Sequence, residues 1–361
     1  MPLLNAKLMN NPTPQTNQEV VIVTGSSGLV ATSLLKKLAG QYHLVGLDKV
    51  RDPYPLPEVE CINFDLTSID SIRAALERVR YAYGDKIASV IHLAAYYDFS
   101  GEPSPLYDKI TVEGTAKLIE ALQDFKVTQF VFSSTNLVYK PSEPGTKINE
   151  DWPLAPNWDY PESKVKTERL IQEKRNDMKS VRLRIAGVYD DWGHSIPIGH
   201  QIQRIYEKQF TSHFYSGDTD KGNVFVHLDD LTDALIRTIE KRNELPDDVA
   251  INIGEPESPS YAELQETIGC EIHGKDWKTY EVPAPLAKAG AYGMNLVGDA
   301  FIKPWMIDRA DDHYELDVTR AQQLLGWQPR HRVLDTLPVM IKNLKADPQK
   351  WYKANKLGSP D

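Results

Sequence analysis

Cysteine is nearly absent from this chain. Its 361 residues include only Cys61 and Cys270, too far apart and too isolated to form a CxxC or Cys/His grouping, so neither a disulfide framework nor a zinc site is expected. A reducing, cytoplasmic setting follows as the default. No apolar run approaches the roughly 18 residues of a membrane span. The opening "MPLLNAKLMNNPTPQTNQ" has neither the basic start nor the continuous apolar centre of a secretory signal, and reads as a loose leader. Basic excess is missing as well: 41 Lys and Arg stand against 51 Asp and Glu, a formal net charge of −10. That balance argues against a nucleic-acid partner or an anionic membrane surface, both of which attract basic patches. His194 and His200 have no supporting carboxylate or cysteine arrangement, so no metal is expected. What remains is a globular chain of about two domain-equivalents, long enough to bury a large core.

The first organised stretch follows the leader. "EVVIVTG" is a short β-branched run, "SSG" a turn, "LVATSLLKKLAG" a helical pattern ending in glycine, and "HLVGLD" a second strand. This βαβ unit puts Gly25 and Gly28 between strand and helix, where a phosphate can approach backbone N–H groups at the helix N-terminus. Ala31 takes the third small position, and Asp48 closes the next strand. That context is what the dinucleotide fingerprint requires. A carboxylate at Asp48 accepts hydrogen bonds from adenosine ribose hydroxyls and repels a 2′-phosphate, which favours NAD over NADP. Lys49 and Arg51 are the complication, since either could pair with such a phosphate.

Strand-like and helical runs then alternate through "QFVFSS", the pattern of a parallel sheet covered by helices on both faces. Ligands of such sheets lie at the carboxyl ends of strands. Asp65, the pair Ala94 and Ala95, and "SSTN" at 133–136 fall at those ends. Beyond them, "YPESK" places Tyr160 and Lys164 four residues apart. With Pro161 in the first turn of a helix, the two share a face. Chance alone also produces such pairs.

Nine short motifs occur in one order: "TGSSGLVA", "FDL", "HLAA", "VEGTAKL", "FVFSSTNLVY", "YPESK", "LRIAGVY", "FVHLDDL" and "LGWQP". In that order the chain resembles the extended short-chain dehydrogenase/reductase family, the group of NAD-dependent epimerases and dehydratases, over roughly residues 19–340. The resemblance implies an α/β fold: a Rossmann-type doubly wound parallel sheet with a smaller C-terminal substrate domain. Its divisions would be a leader at 1–18, the NAD-binding part mainly at 19–186, the substrate part mainly at 187–345 with the chain crossing back to the sheet, and a tail at 346–361. The family's catalytic threonine, tyrosine and lysine map onto Thr135, Tyr160 and Lys164. Cofactor contacts map onto Gly25, Ser27, Gly28, Leu29, Asp48, Asp65, Leu66, Ala94 and Ala95, together with Tyr160 and Lys164. A homodimer through "PLYDKITVEGTAKLIEALQDF" and the helix beginning at Tyr160 is also implied.

Departures from the family pattern bear on the reaction. Asn136 and Leu137 stand where sugar-nucleotide dehydratases place an acid pair, and leucine cannot move a proton, so dehydration is not expected. Gly187 and Asn223 replace an asparagine and an arginine common among nucleotide-sugar enzymes. Thr111 replaces an asparagine and puts an active-site water or a helix bend in doubt. Arg309 resembles a retained substrate-side arginine, although a structural salt bridge would explain it as well. Tyr97, Asp98, Trp192 and His194, in loops peculiar to this chain, are candidate substrate contacts. The implied activity is NAD-dependent hydride transfer at a secondary alcohol or ketone of a small-molecule substrate, a sugar or sugar nucleotide. Epimerisation and hydroxysteroid oxidation are alternatives, and a noncatalytic NAD sensor is a third.

Overall fold

The computed structural model describes residues 18–49, 56–98, 101–288 and 304–358. Most of the leader, and Arg51, lie outside them. In chain order the strands are β1 (Val20–Thr24), β2 (His43–Asp48), β3 (Val59–Asn63), β4 (Lys86–His92), β5 (Lys126–Thr135), β6 (Lys179–Ile185), β7 (Gly187–Tyr189), β8 (Phe214–Tyr215), β9 (Phe225–His227), β10 (Asp248–Ile253) and β11 (Tyr280–Glu281). Strands β1 to β6 are interleaved with α1 (Leu29–Leu38), α2 (Ile69–Tyr83), α3 (Glu113–Leu122) and α4 (Asp159–Lys174), and α5 (Ile196–Tyr206), α6 (Leu228–Glu240) and α7 (Tyr261–His273) follow.

Seven strands make one parallel sheet in the order β10-β6-β5-β4-β1-β2-β3. β1 pairs with both β2 and β4, so the strand order reverses there and opens a crevice at the carboxyl ends of β1 and β4. All five residues of β1 are buried because both faces of the sheet are covered. Val21 and Val23 point into one apolar cluster with Leu34 and Leu38 of α1 and Leu231 and Leu235 of α6. Val20 and Ile22 point into another, with Leu76 of α2, Leu118 and Leu122 of α3 and Ile171 of α4. The period-2 alternation of a strand thus divides one short sequence between two cores.

The run expected to form a single helix before β5 begins instead with a π-helical turn at Tyr107–Val112. The Thr115 and Thr167 hydroxyls donate to the Thr111 carbonyl at 2.5 and 3.5 Å, and the Thr111 hydroxyl accepts the Tyr96 N–H at 3.1 Å. The bend is therefore present with threonine at this position.

A third apolar cluster joins Tyr189, Ile198, Ile202, Phe225 and Ile268 to the helix Val333–Ala346 and to Trp351 and Tyr352 of the helix Pro348–Ala354. Trp351 and Tyr352 are buried, and the Tyr352 hydroxyl donates to Glu207 Oε1 at 2.7 Å. The helix Pro348–Ala354 is part of this core. Among the described residues no helix is long and apolar enough to cross a membrane.

Candidate active site

Gly25 is the residue at which the crevice begins. Its φ of +70° is one that side chains disfavour, and a Cβ there would meet Ala94 N at 3.0 Å and Leu93 C at 3.2 Å. Only glycine lets the turn after β1 lie this close to the end of β4. Gly28 then caps α1 with no side-chain acceptor for the first N–H groups of the helix, which leaves a helix N-terminus suited to a phosphate. Leu29, the first helical residue, is partly exposed at the same end. Ser27 donates its backbone N–H and its hydroxyl to Asp48 Oδ2 at 3.0 and 2.6 Å, tying the carboxylate at the end of β2 to the glycine turn. Lys49 leans 3.6 Å from Asp65 Oδ2. Asp65 Oδ1 accepts the Thr67 N–H and hydroxyl, and those bonds, first the hydroxyl, hold its carboxyl below the ordinary range. Leu66 is buried against Gly114, where a Cβ would come within 2.6 Å of Leu66 Cγ. The Ala94 N–H donates to the Thr24 hydroxyl at 3.2 Å, and Ala95 follows it, partly buried.

The end of β5 meets one face of α4. Pro161 lies in the first turn of that helix, as its lost N–H allows. Lys164, buried, donates to the Ser133 carbonyl at 2.7 Å, and its ammonium stands 4.8 Å from the Phe132 ring centroid and 5.7 Å from that of Tyr160. Burial pushes the Lys164 ammonium down to about 7, with Glu168 opposing. It pushes the Tyr160 phenol up to about 12, and a hydrogen bond with the Thr135 hydroxyl pulls the other way. Desolvation thus sets the direction for the phenol among the protein's own groups. Thr135 also caps the single turn Asn136–Val138, accepting the Leu137 N–H at 3.3 Å.

Aromatic rings surround the phenol. Tyr97 packs edge-on at 5.0 Å, Trp158 lies at 5.4 Å, and Trp305 stacks on Trp158 at 5.4 Å. Asp98 sits behind them, where its carbonyl accepts the Tyr107 hydroxyl at 2.9 Å. Arg309 stands beside this group: its guanidinium is 5.7 Å from the Trp158 ring, Nη2 donates to the Asn157 carbonyl at 2.6 Å, and Nε and Nη1 are buried without a partner among the described residues. Trp192 and His194 make their contacts elsewhere. His194, at φ +43°, bonds Asp190 at 2.7 Å, while the Trp192 carbonyl accepts Asn355 Nδ2 at 2.7 Å and its ring lies under Lys350 at 4.2 Å.

The departures at Gly187, Asn136 and Asn223 are local neighbours of one another's partners. A Cβ at Gly187 would meet Phe225 Cδ1 at 3.0 Å, so Phe225 occupies the space a side chain would need. Asn136 Nδ2 donates to Asn223 Oδ1 at 3.4 Å, and the same oxygen accepts the Val224 N–H at 2.9 Å.

The sequence profile of the NAD dependent epimerase/dehydratase family matches residues 21–254. The chain belongs to that family. A UDP-glucose 4-epimerase of Lactobacillus helveticus is 27% identical over 297 residues, covering 77% of this chain and 80% of the relative. A 3-beta-hydroxysteroid dehydrogenase of Mycolicibacterium neoaurum is 24% identical over 351 residues, covering 89% and 90%. The crystal structure of a Thermus thermophilus UDP-glucose 4-epimerase complex with NAD superposes with a TM-score of 0.69 at 20% identity, covering 91% of this chain and 99% of that one. The fold is the Rossmann-type α/β architecture, and the protein is an NAD-dependent enzyme of the epimerase/dehydratase family. The glycine turn, the uncapped start of α1 and the placement of Asp48 suit that cofactor.

Within the family site, sequence reading overlooked a buried histidine and a buried acid. His92, inside the quoted motif "HLAA", bridges Thr24 at 2.7 Å and Thr115 at 2.9 Å. Burial, then the Lys164 charge, pushes it down to about 3, so it is neutral. Glu168, one turn past Lys164, accepts Arg184 Nη2 at 2.7 Å and Nε at 3.1 Å, and the Ser134 hydroxyl. A polar residue at the apolar phase of a helix was the available signal. Away from this site, ligand atoms of His227, Asp229 and His331 come within 4.8 Å of one another. Lys37 already neutralises Asp229 at 2.7 Å, and His227 Nδ1 accepts the Asp229 N–H, leaving its proton on the other nitrogen.

Proposed function

We propose that the protein transfers a hydride at a secondary alcohol or ketone of a sugar or sugar nucleotide, with net oxidation or reduction as the outcome. The observation that carries this reading is the meeting of Thr135, Tyr160 and Lys164 where β5 ends against α4, on the crevice that begins at Gly25. The nicotinamide, when bound, supplies the hydride acceptor and donor and, in its oxidised form, a positive charge. Tyr160 takes the proton of the substrate hydroxyl during oxidation and returns it to the carbonyl oxygen during reduction. Thr135 hydrogen-bonds that same oxygen. Lys164 favours the phenolate by its charge and turns donors toward the ribose hydroxyls. Burial holds Tyr160 protonated at neutral pH among the protein's own groups, so the phenol is ready as proton donor, and the phenolate needed for oxidation depends on the charges of Lys164 and the oxidised nicotinamide.

Substrate class rests on Arg309. Its buried Nε and Nη1, without a partner among the described residues, offer charge-assisted bonds to an anionic group of a sugar nucleotide or uronate. Asn136 and Leu137 provide no acid for water loss, so dehydration is left out. The division near residue 187 into cofactor and substrate parts belongs to the same reading. So does a homodimer through the outer faces of α3, the π turn before it and α4, where Glu162 and Arg169 of α4 are exposed beside the intrachain pair Lys166–Asp108 at 2.8 Å. Cytoplasmic residence is supported by the scarcity of cysteine, with only Cys61 and Cys270 far apart in the sequence.

One set of contacts favours a second reading, a hydroxysteroid-type dehydrogenase. Tyr97, Trp158 and Trp305 form an aromatic wall at Tyr160, and Phe225 fills the space at Gly187; both suit an apolar ring system. Incubation with NAD, or with NADH and the matching ketones, across sugar nucleotides, free sugars, uronates and hydroxysteroids separates the two. NADH formed with a sugar substrate supports the proposal. Turnover of hydroxysteroids alone transfers support to the second reading, and binding without any turnover favours a sensor.

A further inference from the structure

Three consecutive residues at the end of β5 each serve a different residue of α4. The Ser133 carbonyl accepts the Lys164 ammonium at 2.7 Å, the Ser134 hydroxyl donates to Glu168, and the Thr135 hydroxyl faces the Tyr160 phenol and opposes its upward shift. Tyr160, Lys164 and Glu168 are spaced four apart, one above another on a single helix face. The face therefore continues one turn beyond the tyrosine–lysine pair and ends in a carboxylate.

Glu168 is buried and rigidly oriented. Arg184 of β6 grips it through Nε at 3.1 Å and Nη2 at 2.7 Å, and Arg184 is itself held by the Tyr139 hydroxyl and the Glu150 carbonyl, both at 2.9 Å. A buried carboxylate and guanidinium so fixed form a local dipole, and the serine side of its negative end adjoins the strand that holds Lys164. The groups facing Lys164 from the packed elements are Tyr160 and Glu168 of α4, His92 of β4 and the rings of Phe132 and Tyr160. His92 is neutral and Tyr160 is protonated at neutral pH. Glu168 is the carboxylate in this set.

We propose that Glu168, locked by Arg184 and Ser134, is a positioning residue that keeps the Lys164 ammonium charged and aimed at the reacting end of the site. It touches neither the reacting atoms nor the cofactor region and acts through Lys164. The inference rests on the assignment of Lys164 under the proposed function, and its consequence is a protonation equilibrium. Burial alone drives the lysine toward neutrality, and the carboxylate raises it back. Near neutral pH that opposition decides whether the site holds an ammonium or an amine.

The test reads Lys164 directly, without a substrate. Protein labelled with carbon-13 at the lysine ε-carbon is titrated by NMR, with the Lys164 signal assigned from its loss in Lys164→Met. Glu168→Gln leaves Arg184 buried without its counter-charge, so the double variant Glu168→Gln, Arg184→Met removes the pair together. Ser134→Ala removes only the hydroxyl that orients the carboxylate. The expected result is a Lys164 midpoint about one pH unit lower in the double variant, with a smaller shift of the same sign in Ser134→Ala. Midpoints equal to the wild type in both variants, with melting temperatures lowered or not, would give Glu168 a purely structural role and overturn the proposal. Failure here with Tyr160→Phe still inactive would leave the hydride-transfer reading standing, whereas the reverse pattern would sink that reading alone.

Discussion

Tyr160 and Lys164 are driven in opposite directions by one cause. Desolvation disfavours whichever form is charged, so the phenol rises to about 12 and the ammonium falls to about 7. For Lys164 the folded protein then binds fewer protons than the unfolded chain between pH about 7 and the ordinary lysine value of 10.5. Stability rises with pH across that window, because the burial cost of the charge is present below it and relieved above it. Denaturant titrations at pH 7 and pH 9.5 are expected to show the wild type gaining roughly 2–4 kcal/mol relative to Lys164→Met. Equal pH slopes in the two proteins would contradict the burial argument. For Tyr160→Phe, NAD affinity measured by calorimetry is expected to stay within about twofold, because the ring and its packing are kept and only the proton-carrying oxygen goes. Both residues were legible from a five-letter stretch, "YPESK". Their opposed protonation tendencies were not, because those depend on Phe132, Thr135 and Ser133, contributed by a strand far away in the chain.

At the scale of elements, the end of β5 and the face of α4 act as one unit, and Arg184 of β6 fastens it from behind. Replacing Arg184 by methionine leaves Glu168 buried without a counter-charge, and a loss of about 3–5 kcal/mol is expected. Replacing both partners together should cost much less; chemical denaturation of the single and double variants checks the difference. The helix Pro348–Ala354 supplies a second case. Trp351 is wholly buried in the third apolar cluster, so Trp351→Ala should lower stability by about 3–5 kcal/mol in the same assay. It should also loosen the turn at Trp192, which the tail holds through Asn355 and Lys350. The βαβ unit was readable because hydrophobic period, glycine turn and strand-end aspartate agree within thirty or so residues. The π turn at Tyr107–Val112 was not, since hydroxyls of Thr115 and Thr167 stabilise it through a carbonyl, a feature with no hydrophobic period. Trp192 and His194 looked like pocket residues because they lie in a loop rich in aromatic and polar side chains. Their described contacts are instead with the tail and with Asp190.

On the scale of the whole molecule, the parallel sheet brings the ends of β1, β2, β4 and β5 to one edge and covers one part of that crevice with the aromatic wall and Arg309. Strand alternation in the sequence announced the sheet, while its seventh strand, β10, comes from beyond residue 187 and pairs with β6; no local pattern fixes that return. The substrate is the least legible property, because on the proposed function it depends on contacts such as Gly187 with Phe225, Asn136 with Asn223 and Arg309 with Trp158, made across long stretches of chain. The most direct test of the central claim is a paired assay of wild type and Tyr160→Phe with NAD or NADH, recording cofactor absorbance and product stereochemistry over sugar nucleotides, uronates, free sugars and hydroxysteroids. Net change in NADH with a sugar-type substrate is expected in the wild type, with a rate at least about a hundredfold lower in the variant. Inversion of a sugar centre without net NADH, or undiminished turnover by Tyr160→Phe, would contradict the claim.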